Sequence, residues 1–301
     1  MDRLDHLRIF LRIAQCSSFT QAADQLGLPR ASVSGALQQL EARLGTRLLH
    51  RTTRRVRLTP DGESLLERAR SLVHGMEVLE QQFSAAGQGM QGRLRVDVPS
   101  RIAHHLLAPA LPEFLARHPG IVLELGSNDR TVDLAQEGVD CALRVGALAP
   151  SGLVARPLGT FSLINCASPD YLQRHGAPAN VADLQAHGHR QVNYAPSAGG
   201  RYAPWEWVED GQLRTMVLAG YVAASNVETY IACAVSGMGL IQVPAFDVQE
   251  QLLAGTLVDV MPLHRAPPMP VHLVYPHRRH LAQRVQAFGD WIETMLAPHL
   301  D

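Results

Sequence analysis

The chain contains no lysine: all 27 of its basic residues are arginine. Any phosphate or carboxylate it binds must therefore be met without lysine, by arginine forks, backbone amides or other side-chain donors. Aromatic residues are scarce, at 5%. The four cysteines, Cys16, Cys141, Cys166 and Cys233, stand far apart with no CxxC pair, which argues against a disulfide framework or a thiolate zinc site. Reduced, buried thiols are expected. No stretch approaches the roughly 18 consecutive apolar residues of a membrane span, and the amphipathic N-terminus carries early acids and arginines rather than a secretory leader. A cytoplasmic protein with no membrane partner is expected. With 301 residues, 46% of them hydrophobic, the chain is long enough for two or three cores.

The formal net charge of −1 conceals an asymmetry. Residues 1–62 hold ten arginines against five carboxylates, whereas the remainder holds 17 arginines against 23 carboxylates. A basic end on an otherwise acidic protein points to a polyanion partner for that end alone.

Apolar residues at Leu4, Leu7, Phe10, Leu11 and Ala14 mark a first amphipathic helix ending near Cys16. Ser18 and Gln21 have the spacing of a capping box for a second helix, which Gly27 can close. Pro29 suits the start of a third, with Val33, Leu37, Leu40 and Leu44 as its inward stripe. Three short helices with a tight Gly-containing turn make a helix-turn-helix. The alternation through Arg55, Val56, Arg57 and Leu58 then predicts a two-stranded wing.

The opposite face of the third helix presents Arg30, Ala31, Ser32, Ser34 and Gln38, and the wing adds Arg51, Thr52, Arg54, Arg55 and Arg57. Gln can read adenine, Ser is a short donor or acceptor, Ala can touch a thymine methyl, and arginines grip phosphates. Double-stranded DNA is the expected partner. Thr59-Pro60 opens a long helix, expected to run to about Ala86, along which Leu65, Ala69, Leu72, Met76, Leu79 and Phe83 recur at alternating intervals of four and three. Such a seam predicts dimerisation. Gly87-Gln88-Gly89-Met90-Gln91-Gly92 reads as a hinge, and beyond it strands and helices alternate in the manner of a parallel sheet flanked by helices.

These motifs resemble the LysR-type transcriptional regulators. The resemblance rests on Phe19-Thr20-Gln21-Ala22-Ala23, Val33-Ser34, Leu40-Glu41, the run from Leu44 to Thr52 and Leu58-Thr59-Pro60-Asp61-Gly62; it continues through the run from Cys166 to Leu172, Gly237-Met238-Gly239 and Gly255-Thr256-Leu257. It departs from the family pattern at Pro29 and at Gly35, which removes a contact the family commonly makes with arginine.

The resemblance implies an α/β protein with an N-terminal winged helix-turn-helix over 1–59, a long linker helix over 60–87 and a hinge over 88–92. A two-lobed effector domain resembling periplasmic binding proteins follows over 93–301, its first lobe about 93–160 and 266–301 and its second about 161–265. A small-molecule effector, assembly as a homodimer or homotetramer, and RNA polymerase as a further partner are implied too. Helix starts offer free amides and a positive dipole end to an anion. The resemblance accordingly nominates Ser100 and Asn226, with neighbours Arg101, Ile102, Val227, Arg144, Val145 and Gly146, as the effector site for a small anion.

Catalytic chemistry finds no support. His104-His105, His187 with His189, and His277 with His280 lack an accompanying carboxylate or cysteine in a metal-binding pattern; Gly237 and Gly239 lack the rest of a dinucleotide fingerprint; and no GxSxG elbow occurs. No enzyme activity, metal or cofactor is expected. The rival reading, a solute-binding protein or small α/β enzyme, is disfavoured by the arginine-rich wing.

Overall fold

The computed structural model describes residues 1–51, 56–84, 90–130, 132–195, 202–276 and 281–301. Thr52, Arg54, Arg55, the hinge residues 85–89, His277 and His280 lie outside the described residues, as do the side chains of Arg51, Leu79 and Phe83. The chain divides into two compact units, Met1–Gly89 with Asp133–Val139, and Met90–Val132 with Asp140–Asp301. Among the described residues no helix is long and apolar enough to cross a membrane.

In the first unit, α1 (Arg3–Cys16) begins at a capping box in which Asp2 and Asp5 each accept the other's N–H, at 2.7 and 2.8 Å. Ser18 accepts the Gln21 N–H at the start of α2 (Phe19–Leu26), and Gly27 ends it with φ +63°, a conformation glycine adopts without strain. Pro29 precedes α3 (Arg30–Leu44) with no side-chain cap. Ile9, Phe10, Ile13, Ala22, Val33, Leu37 and Leu40 form the core among these helices. Leu44, expected in the inward stripe, is 46% exposed, because the last turn of α3 extends past that core before Gly45 ends the helix.

The wing pairs β1 (Leu49–Arg51) antiparallel to β2 (Val56–Leu58), with Leu49 opposite Leu58. Glu41 anchors it from α3 by accepting the Leu48 N–H at 2.8 Å. Thr59 caps α4 (Pro60–Ser84): its hydroxyl accepts the Gly62 N–H at 3.0 Å and donates to the Arg47 carbonyl at 2.7 Å. The expected seam on α4 divides. Ala69 is buried in the core of this unit with Leu65 packed against it, while Leu72 is 60% exposed.

The second unit has two lobes. In the first, β3 (Gln91–Val98), β4 (Gly120–Ser127) and β5 (Cys141–Val145) share a five-stranded sheet with β6 (Leu153–Phe161) and a late strand, Met269–Pro276. Gln91 and Gly92, expected in the hinge, are paired in β3 opposite Gly120 and Ile121. The strands β4, β3 and β5 run parallel, but the late strand is antiparallel to both β5 and β6. The expected parallel sheet is therefore mixed. After β3, a helical stretch comprises α5 (Ser100–Ile102), a π-helical segment Ala103–Leu107 and α6 (Ala108–Arg117). The last helix, Gln283–Leu296, packs on the sheet through Val285, Phe288 and Ile292.

In the second lobe, the fully buried strand Leu163–Ala167 runs between Ile241–Pro244 and Val258–Asp259. Two smaller pairs, Asn193–Tyr194 with Ala223–Ala224 and Trp205–Glu209 with Gln212–Met216, form separate two-stranded sheets in this lobe. A helix over Val227–Val235 is capped by Asn226. Trp205 and Tyr171 are buried in this lobe's core.

Gly62 tests the packing of the first unit, since a methyl group there would overlap the Leu48 carbonyl oxygen. Gly62→Ala should destabilise this unit by about 1–3 kcal/mol, the range for an added methylene in a packed site. Calorimetry should show a lowered transition for the first unit with that of the second unchanged; an unshifted first transition would mean α4 can move away from the wing.

Candidate effector cleft and DNA-reading face

The third helix of the first unit presents two faces. Val33, Ala36, Leu37 and Leu40 are buried, while Arg30, Ala31 and Gln38 are exposed and Ser32 and Ser34 half-buried. Arg57 of β2 is exposed, as are Arg43 and Arg47. Helix position and wing together make a basic, polar surface with the side chains a recognition helix needs.

In the second unit a cavity of about 520 Å³ is lined from both lobes. Its apolar walls come from Phe161, Trp205, Tyr194, Tyr230 and Phe246, and its charged lining from Arg101, Arg130, Arg144, Asp129, Glu206 and Asp247. Of the sequence-nominated residues, Arg101, Ile102, Arg144, Val145 and Val227 line it; Ser100, Gly146 and Asn226 are not part of its wall.

The two helix starts meet, but on a group the sequence analysis missed. Asp129, just past β4, accepts the Ser100 N–H at 2.9 Å and the Ser100 hydroxyl at 2.7 Å on one carboxylate oxygen, and the Val227 N–H at 2.7 Å on the other. Ser100 therefore does not cap α5; Pro99 occupies that position. Asn226 serves its own helix, accepting the Thr229 N–H at 2.8 Å. Arg144 is held by Asp97 at 2.7 Å.

A second bridge lies beside the first. Arg101, 5% exposed, donates from Nε to the Asp247 carbonyl at 2.9 Å and from Nη1 to Glu228 at 2.7 Å, with the Asp247 carboxylate 3.3 Å away. Burial pushes the Asp247 carboxyl up to about 7, with Asp129 and Glu228 adding repulsion that Arg101 partly offsets. Burial also raises the Tyr194 and Tyr230 hydroxyls, so both stay neutral donors. The Cys141 and Cys166 thiols are likewise pushed up by burial, Cys166 to about 12, and neither is a thiolate at neutral pH.

A usable signal for Asp129 existed. Ligands of open α/β sheets gather beyond the carboxyl ends of the strands, and Pro99, Asp129 and Gly146 all follow strands of the first sheet. Asp247 and Glu228 reach the site through tertiary packing and have no comparable local mark.

A winged helix-turn-helix joined to a two-lobed α/β sensing domain defines a ligand-responsive DNA-binding regulator. Residues 4–63 match the model of the bacterial regulatory helix-turn-helix protein, lysR family, and residues 87–297 match the LysR substrate binding domain. The chain belongs to the LysR family of transcriptional regulators and is not an enzyme. It is 42% identical over 301 residues to the uncharacterized HTH-type transcriptional regulator YhjC of Escherichia coli K12, covering 100% of both chains. It is 36% identical to the HTH-type transcriptional repressor PA14_22550 of Pseudomonas aeruginosa, covering 99% of this chain and 93% of that one. Among solved structures it is similar to CrgA, a LysR-type regulator from Neisseria meningitidis, with TM-score 0.61, 30% identity and 97% and 98% coverage. It is also similar to the Vibrio cholerae virulence activator AphB, with TM-score 0.63, 26% identity and 99% and 100% coverage.

The raised Asp247 carboxyl has a consequence for stability. A folded-state pKa of about 7 against an ordinary 3.8 means its favourable contribution is complete below pH 3.8 and lost as pH rises through 7. Asp247→Asn should flatten the pH dependence of unfolding between about pH 4 and 7, each pKa unit being worth up to about 1.4 kcal/mol. Urea titrations of both proteins at several pH values check this; parallel curves would mean Asp247 stays ionised throughout.

Proposed function

We propose that the chain reads a specific operator through α3 and the wing and that a small anionic effector, bound between the lobes of the second unit, sets its affinity for that operator. Residues 1–59 are the DNA-reading domain in this reading, α4 from Pro60 is the dimerisation helix, and the effector domain begins at β3. Homodimers or homotetramers act in the cytoplasm, at promoters where RNA polymerase is a further partner. Base contacts fall to Ala31, Ser32, Ser34 and Gln38, and phosphate contacts to Arg30, Arg51, Thr52, Arg54, Arg55 and Arg57. On α4, Leu72, Met76, Leu79 and Phe83 carry the dimer seam, continuing from Leu65 and Ala69.

The observation that carries the effector reading is Asp129. Two helix starts on opposite lobes already hold a carboxylate supplied by the chain itself, so their donors are selected for an anion. A free carboxylate that displaces Asp129 takes over the same three donors. The aromatic walls would hold its hydrocarbon part, with Arg101, Ile102, Arg144, Val145, Gly146 and Val227 as neighbours. Differential binding of this kind couples sites by about 1–3 kcal/mol, hence shifts operator affinity by about 5- to 150-fold.

Two experiments test this. Arg57→Ala should weaken binding to every duplex and lower the salt slope by about 0.9, one phosphate contact, whereas Ser34→Ala or Gln38→Ala should change base preference. A salt slope unaltered in Arg57→Ala would remove that arginine from the interface. For the effector, a thermal-shift screen of small organic acids comes first, then calorimetry on Ser100→Ala, Asn226→Ala and Asp129→Ala. Acetate should stabilise Asp129→Ala more than the parent protein, because it fills the vacated place. Equal responses to acetate, or a hit indifferent to all three substitutions, would put the anion site elsewhere.

A further inference from the structure

His104 and His105 stand together in the sequence without a carboxylate nearby, and folding brings one from 123 positions away. Among the described residues, His104, His105 and Glu228 form a trio whose ligating atoms all lie within 4.8 Å of one another. His105 Nε2 is 3.3 Å from Glu228 Oε1, and His104 Nδ1 is 4.0 Å from the same oxygen. Nitrogen and oxygen donors on one tetrahedral zinc, each about 2.0–2.1 Å from the metal, lie about 3.3 Å apart. The His105–Glu228 spacing already meets this. His104 has a 76% exposed side chain and needs only a small turn of its ring to join.

Two features of the surroundings explain the convergence. Both histidines lie in the π-helical segment Ala103–Leu107, which carries more residues per turn than an α-helix and so brings successive side chains nearer one face; their ring centroids are 4.6 Å apart. Such segments often mark functional sites. Glu228 is oriented by its other oxygen, Oε2, which accepts from Arg101 at 2.7 Å and leaves Oε1 toward the imidazoles.

We propose that His104, His105 and Glu228 bind a divalent first-row transition ion of the zinc class through two imidazoles and one carboxylate, with water completing the coordination. Imidazole with carboxylate suits zinc, iron, nickel and copper rather than magnesium or calcium. The histidines belong to the helical stretch of the first lobe and Glu228 to the capped helix of the second, so the ion ties the lobes together next to the effector cavity. Metal becomes a second input to lobe closure, independent of which small molecule fills that cavity.

The test is titration of metal-free, full-length protein with zinc by calorimetry, with cobalt absorption as a report on coordination. One equivalent should bind to the parent and to His187→Ala, a control for adventitious imidazole. Loss of one ligand in His104→Ala, His105→Ala or Glu228→Gln should raise the dissociation constant at least about tenfold. Zinc should raise the melting temperature of the parent but not that of His104→Ala, whose exposed side chain can be removed without disturbing the fold. Retention of parental affinity by both His104→Ala and Glu228→Gln would overturn the assignment, as would the absence of zinc binding to the parent at micromolar concentration.

Discussion

Asp129 takes backbone N–H groups from two helix starts that belong to opposite lobes, and the cleft is organised around that bridge. A carboxylate partly withdrawn from water needs donors that replace its lost hydration, and half-buried Asp129 has two amides and a hydroxyl. The same constraint governs its neighbour. Arg101 is buried between the lobes, where the Asp247 carbonyl and the Glu228 carboxylate accept from it. Asp129 and Glu228, with the Arg101 guanidinium, thus bridge the two lobes. In the proposed reading, a ligand anion need only replace an interaction that already exists.

The first unit depends on a different constraint, the close approach of α4 to the wing. Thr59 caps the helix and bonds Arg47, Glu41 receives the Leu48 amide, and Gly62 permits the Leu48 carbonyl to come within reach. The wing therefore hangs from polar bonds to two helices as well as from Leu48 and Leu49, which are buried in the core of this unit with Val56 and Leu58 packed against it. This explains why Leu40-Glu41, Leu48 and Leu58-Thr59-Pro60-Asp61-Gly62 recur as one pattern in the family resemblance: they are a single joint, dispersed along the chain.

Helices with strong periodicity and local punctuation were legible from the sequence. Ser18, Gly27 and Thr59 all mark boundaries that the structure has, because caps act within three or four residues. Topology was less legible: the strand Met269–Pro276 joins the first sheet antiparallel, after the chain returns from the second lobe, and no local pattern records that direction. Leu44 and Ala69 illustrate the same limit, since a stripe of apolar residues states which face is inward but not where the neighbouring body ends. In the cleft, Ser100 and Asn226 were visible as helix starts and Asp129 as a residue just past a strand of the first sheet, whereas Asp247 and Glu228 are brought there by tertiary contacts alone.

The absence of lysine gains meaning from where the arginines lie. In the second unit many are consumed by carboxylates: Arg95 by Glu124, Arg101 by Glu228 and Asp247, Arg144 by Asp97, Arg156 by Asp290 and Glu293, and Arg265 by Asp259. In the first unit Arg30, Arg43, Arg47 and Arg57 are exposed. One residue type thus takes two places, as an internal brace where carboxylates outnumber it and as an exposed basic surface where they do not. A planar fork that never loses its proton suits both places, and in the proposed reading it keeps phosphate contacts independent of pH. The net charge of the whole chain is near zero for this reason, although only one of its two units is built to meet a polyanion.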